Sequence, residues 1–117
     1  ALIDAVTALS GSGPAYVFHF IEALREHGVA LGLDTAAAGK LAIETVRGAA
    51  LLAAQSDEDV AVLRQRVTSK GGTTEAALLA FDQAGLKEAV GAGMRPTPSL
   101  IKPCWRPAFG NTGAPCP

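Results

Sequence analysis

Aromatic side chains make up only 5% of the chain and charged residues 18%, with a formal net charge of −1 at neutral pH. Nucleic-acid-binding domains carry clustered Lys and Arg, so no nucleic acid is expected as a partner. Cysteine is limited to Cys104 and Cys116. Two cysteines are too few for a disulfide scaffold. No His lies between them, so they fit no zinc spacing, and His19 and His27 lack a third ligand; no metal site is expected. The apolar stretch from Ala5 to Ile21 is broken by Ser10-Gly-Ser-Gly-Pro14, which argues against a membrane span. The start of the chain lacks a basic leader and an A-x-A cleavage site. The expected location is cytoplasmic. The chain starts on Ala, in mid-pattern, and is expected to be a piece of something longer.

What is abundant is aliphatic. Hydrophobic residues account for 49% of 117 residues. That suits one domain, able to bury roughly 65% of its unfolded surface. Composition shifts near residue 95. Six of the seven prolines, both cysteines and the only Trp follow that point, and all eleven acidic residues precede it. Residues 95–117 are expected to be irregular, since so many prolines cannot continue a helix.

Residues 1–94 read as a succession of helices, rich in Ala and Leu. A short helix is predicted from Leu2 to Leu9, ended by the Ser-Gly-Ser-Gly stretch. Pro14 suits the first position of a second helix, in which Val17, Ile21, Leu24 and Leu31 recur at helical spacing; Gly32 ends it. Asp34 is the predicted N-cap of a third helix reaching Gln55. Its wet stripe is Lys40, Glu44 and Arg47. Its other face is mostly small (Ala36, Gly39, Ala42, Ile43, Ala50, Ala53), which lets helix axes approach and predicts neighbours on more than one side. Ser56 is the predicted cap of a fourth helix, with Asp57, Glu58 and Asp59 at its positive end. A fifth is predicted from Thr74 to Ala84, stopped by Gly85, and a sixth from Leu86 to Met94. No alternating strand pattern is visible. The predicted class is all-α, a bundle of five or six helices.

Two segments have the residues for chemistry. In Val67-Thr-Ser-Lys-Gly-Gly-Thr-Thr-Glu75, two glycines and four hydroxyls lead into a helix. The first N–H groups of that helix lack internal partners, and its end carries about half a positive charge. Glycines let a ligand reach the backbone. This predicts a site for a small carboxylate or phosphate. It is no P-loop, because Lys70 precedes the glycines. The plainer alternative is a helix capped by Thr73 or Thr74. The second segment is Ser10-Gly-Ser-Gly-Pro-Ala-Tyr16. Its third dinucleotide-loop glycine would fall at Tyr16, and no strand precedes it. A helix–helix junction with close backbones is the plainer account.

Together, Asp4-Ala-Val-Thr-Ala-Leu-Ser-Gly-Ser-Gly-Pro-Ala-Tyr16 and Val67-Thr-Ser-Lys-Gly-Gly-Thr-Thr-Glu-Ala-Ala-Leu78 resemble the pyrroline-5-carboxylate reductase family. The likeness extends over about Leu2 to Met94, the family's C-terminal helical domain. It implies reduction of 1-pyrroline-5-carboxylate to L-proline with NADPH or NADH, the last step of proline synthesis. The nucleotide would be bound mainly by an N-terminal Rossmann domain outside this sequence, so the chain alone is expected to be inactive. The helical domain would intertwine with a second copy as a homodimer, with higher homo-oligomers possible. By the same resemblance, Val67, Ser69, Gly71, Gly72, Thr73 and Thr74 would hold the substrate. Ser69 and the Gly72–Thr74 backbone would take its carboxylate, and Thr74 would be the catalytic residue at the ring nitrogen. Ser10, Gly11, Ser12 and Gly13 would lie near the nicotinamide or the ring. The family usually has Pro where Lys70 stands; this Lys is expected to point into water. The sequence after Met94 does not follow the family, and a shifted reading frame or sequence introduced in cloning is expected there. The alternative is a purely structural dimerisation module of a related dehydrogenase.

Overall fold

The computed structural model describes residues 1–95, so the expectations for the proline-rich tail, Cys104 and Cys116 included, lie outside the described residues. Six α-helices run in order: α1 Leu2–Val6, α2 Gly13–Ala30, α3 Thr35–Gln55, α4 Val60–Arg66, α5 Thr73–Ala84 and α6 Leu86–Met94. A π turn, Thr7–Gly11, joins α1 to α2. The all-α expectation holds: the described residues contain no strand.

The Ser-Gly-Ser-Gly stretch does not end the first helix, contrary to the expectation. Thr7, the first residue of the turn, and Ser12, just after it, both keep right-handed helical angles. The Ser12 N–H donates to the Thr7 carbonyl at 2.9 Å, five residues back, and the Ser10 hydroxyl donates to the Val6 carbonyl at 2.8 Å. Pro14 explains the widened turn. Its ring would collide with the carbonyl four residues back in a regular helix, and it has no N–H to donate. A π turn just upstream relieves that conflict while the chain stays helical. Pro14 therefore occupies the second position of α2, one later than expected.

The α2–α3 connection forms as its residues predict. Gly32, at φ +104°, follows the last turn of α2. The Leu33 N–H donates to the Gly28 carbonyl at 3.1 Å, and the Gly32 N–H to the Val29 carbonyl at 2.9 Å. This paired arrangement satisfies carbonyls that the helix end would otherwise leave open. Asp34 caps α3 as expected, its Oδ2 accepting from the Ala36 and Ala37 N–H groups at 3.1 and 3.3 Å. Small residues let the two helices meet: a Cβ on Gly28 would lie 3.4 Å from both the Ala38 Cβ and a Leu33 methyl. Arg47 pairs with Glu44 at 3.4 Å on the wet stripe of α3.

The start of α4 departs from expectation. Ser56 is the C-cap of α3, and its Oγ accepts from the Glu58 N–H at 3.1 Å. Asp59 is the real N-cap, with its Oδ1 accepting from the Ala61 N–H at 2.8 Å. Asp57, Glu58 and Asp59 thus precede the helix and do not form its first turn. Arg64 and Arg66 lie in its last turn, where they complement the helix dipole.

Very little is buried. Ala38 and Ala42, both on the α2 side of α3, are the only buried hydrophobic residues among those described. Leu31, Leu2 and Ile3 are more than 80% exposed, and Phe18, Leu41, Ile43, Leu51, Leu52 and Leu79 are each more than half exposed. The expected cover on both sides of α3 is therefore present on one side only within this chain. Fully burying one such side chain is worth about 1.5–3 kcal/mol. A chain that leaves most of its apolar faces bare lacks the main term that stabilises a monomer. No helix among the described residues is long and apolar enough to cross a membrane.

Candidate functional site: the turn that opens α5

The segment between α4 and α5 is short and tightly specified. Val67 caps α4 and is 65% exposed. The Thr68 hydroxyl bonds back to the Arg64 carbonyl at 2.6 Å. Ser69-Lys70-Gly71-Gly72 then forms a β-turn closed by the Gly72 N–H on the Ser69 carbonyl at 3.0 Å. Gly71 has φ +72°, and no non-glycine residue has positive φ among those described. Negative φ at Lys70 followed by positive φ at Gly71 is a type II turn, which requires Gly at its third position and favours Pro at its second. Lys70 occupies that second position and is exposed. Gly72 is needed for a different reason. A Cβ there would sit 3.1 Å from the Ser69 carbonyl oxygen.

Gly72 is also the N-cap of α5, and no side chain caps that helix. The expected alternative, a Thr73 or Thr74 cap, is not what forms: both residues lie inside the helix, which starts at Thr73. The first helical bond runs from the Ala76 N–H to the Gly72 carbonyl at 3.2 Å. The Thr73, Thr74 and Glu75 N–H groups therefore find no acceptor among the described residues. Three aligned amides and the helix dipole make this end a place for an anion. Thr73 and Thr74 are exposed, so their hydroxyls stand beside those amides.

Two carboxylates act around the turn: Glu75, for which no role is expected above, and Glu58, expected only at the positive end of α4. Glu75, in the first turn of α5, accepts the Gly71 N–H on Oε2 at 3.0 Å. A Glu three residues after a helix N-cap is a known back-reaching position, so the signal was present. Glu58 pairs with the Arg66 guanidinium, tying the entry of α4 to its exit just before Val67. The other Glu58 oxygen is buried and has no partner among the described residues.

Two shallow cavities flank the turn. One, of about 390 Å³, lies between α3 and α4 and includes Leu52, Val60, Leu63 and Val67. The other, of about 460 Å³, includes Thr68, Glu75, Leu78, Phe81 and Lys87. Val67, Ser69, Gly71, Gly72, Thr73 and Thr74 thus share the short segment from the end of α4 to the first turn of α5. Ser10, Gly11, Ser12 and Gly13 are elsewhere: their π turn packs chiefly on α1 and α2. No cluster of three His, Cys, Asp or Glu able to hold a metal ion occurs among the described residues.

Uncovered helical faces and an open helix end define the class: an all-α association module with a polar turn ahead of α5. Residues 1–98 match the family described as pyrroline-5-carboxylate reductase dimerisation, and the chain belongs to that family. It is 49% identical over 90 residues to pyrroline-5-carboxylate reductase of Pseudomonas aeruginosa, a match spanning 77% of this chain and 33% of that protein. The Synechocystis enzyme of the same name is 48% identical over 89 residues, spanning 76% of this chain and 33% of the relative. Among solved structures, the reductase of Coxiella burnetii superposes with a TM-score of 0.76 at 44% identity, covering 79% of this chain and 34% of that one. The pyrroline carboxylate reductase of Plasmodium falciparum, solved with NADP bound, superposes equally well at 35% identity, over 79% of this chain and 35% of its own. The chain spans about a third of the length of the curated relatives it matches.

Proposed function

We propose that this chain is the substrate-holding and dimerising part of a reductase that converts 1-pyrroline-5-carboxylate to L-proline. The observation that carries the reading is the open start of α5, where three amides lack acceptors beside the Thr73 and Thr74 hydroxyls. The substrate is a cyclic imine bearing a carboxylate. Its carboxylate suits the Thr73–Glu75 amides and the Ser69 hydroxyl. With the acid anchored there, the ring nitrogen falls to the Thr74 hydroxyl. An imine accepts hydride far better once its nitrogen is protonated, and a positioned hydroxyl or a water held by it can relay that proton. Val67, exposed at the other end of the turn, offers an apolar wall for the ring carbons. Alignment of the acceptor carbon within roughly 3–3.5 Å of its hydride source is then a matter of how rigidly the turn is held.

The described residues do not fit a nucleotide. They contain no strand leading into a glycine turn, which dinucleotide binding needs. The reductant, NADPH or NADH, is therefore assigned to the stretch of the relatives that this chain does not span, and the chain alone is not expected to turn over. The Ser10–Gly13 segment is assigned to the neighbourhood of the ring or the nicotinamide in the assembled enzyme. The bare faces of α1, α2 and α3 are assigned to a second copy, giving a homodimer.

Titrating L-proline into the isotope-labelled chain tests the reading. The Ser69–Thr74 amides should shift, while those of Asp34–Ala37 stay still. Unmoved loop amides at saturating proline would sink it.

A further inference from the structure

We infer that Glu75 is a positioning residue: its carboxylate pins the Ser69–Gly72 turn so that the α5 amides face a ligand as a fixed set. The inference rests on the reading above. The Glu75 side chain touches no substrate atom in it and acts through Gly71. The Gly71 N–H is held by Glu75 Oε2 at 3.0 Å, and the Gly72 N–H by the Ser69 carbonyl at 3.0 Å. The two amides next to the helix start are thereby occupied, while those of Thr73, Thr74 and Glu75 stay open. Gly71 sits at φ +72°, a backbone state that glycine leaves easily. A turn built on two adjacent glycines would otherwise wander, and the anion would have to order it on binding. Glu75 is half-buried and lines a cavity that Arg64 and Lys87 also line.

Glu75 also brings a negative charge close to an anion site. At a largely exposed end that repulsion is screened and weakens binding by about twofold. Losing a charge-assisted hydrogen bond that orders the turn is the larger effect, about tenfold. Glutamine separates the two, because its carbonyl oxygen still accepts from Gly71 while the charge is gone.

The test uses the complete reductase that carries these residues. Glu75→Ala should raise KM for 1-pyrroline-5-carboxylate about tenfold with kcat and the nucleotide KM nearly unchanged. It should also speed exchange of the Gly71 amide proton. Glu75→Gln should restore both readouts to within about twofold of the parent. An unchanged imino-acid KM in Glu75→Ala overturns the inference, as does Glu75→Gln behaving like Glu75→Ala. Absence of turnover in the parent enzyme would instead remove the functional reading, an outcome the kinetic comparison distinguishes at once.

Discussion

α3 and α5 begin in opposite ways. At α3, Asp34 folds its carboxylate over the first amides and takes two of them. At α5, the cap is Gly72, which has no side chain to offer, and the same class of amides stays open. The first end is closed by its own chain and serves the hairpin. The second is open although two threonines stand within reach, and its backbone is held by hydrogen bonds from behind: Ser69 and Glu75 grip the turn without occupying its front. A helix start that is rigid and unfilled is prepared for a ligand's charge. One that is filled contributes only stability.

The sharpest way to break this contrast is at Thr74. In the complete enzyme Thr74→Ala should lower kcat/KM about a hundredfold, the scale of a lost proton-transfer group. Unfolding free energy should change by less than about 0.5 kcal/mol. Equal losses of activity and stability would make Thr74 a structural residue. A second route makes α5 resemble α3. Gly72→Asp supplies a carboxylate cap, and L-proline affinity should fall at least about tenfold beyond the loss in Gly72→Ala, because the new carboxylate fills and repels at the same place. The Gly72→Ala control accounts for the Cβ that would crowd Ser69. Affinities that match in the two variants would show that the amides are not the anchor.

Smaller effects probe the closed end and the turn itself. Asp34→Ala should destabilise the protein by about 1 kcal/mol and leave proline affinity intact. Thermal melts with a binding isotherm check both halves of that statement. Lys70→Pro should stabilise by about 0.4–1 kcal/mol, since the second position of a type II turn accepts Pro and the unfolded chain loses freedom. A destabilised Lys70→Pro would mean that the Lys70 N–H or side chain has a role in the assembled enzyme.

Much of the architecture is legible in the residues, and the failures have physical causes. α3 is plain because Asp34, a wet stripe of Lys40, Glu44 and Arg47, and a small opposite face all agree. The ends of α2 and α5 are plain because Gly32 and Gly85 take up left-handed angles. The start of α4 is harder: Ser56, Asp57 and Asp59 can each cap a helix, and local residue type does not rank them. The π turn is hard to read because its bonds reach five residues back and only Pro14 hints at it. In the candidate site, the glycines and hydroxyls stand out at once. The brace from Glu75 emerges only when Gly71 adopts positive φ and turns its N–H toward α5. The bare faces of α2 and α3 are read from burial, since the same periodic pattern would serve a filled monomer core equally well.

Gly85 carries a last consequence. This one residue, at φ +77°, is both the end of α5 and the start of α6, with no spacer between them. Such a joint transmits direction. Adding a single residue to α6 directly after this joint would turn every later side chain by roughly 100° about the helix axis, given 3.6 residues per turn, and would carry Val90 and Met94 to another face of α6. Insertions should therefore be excluded at this corner long before they are excluded in the longer connection between α3 and α4.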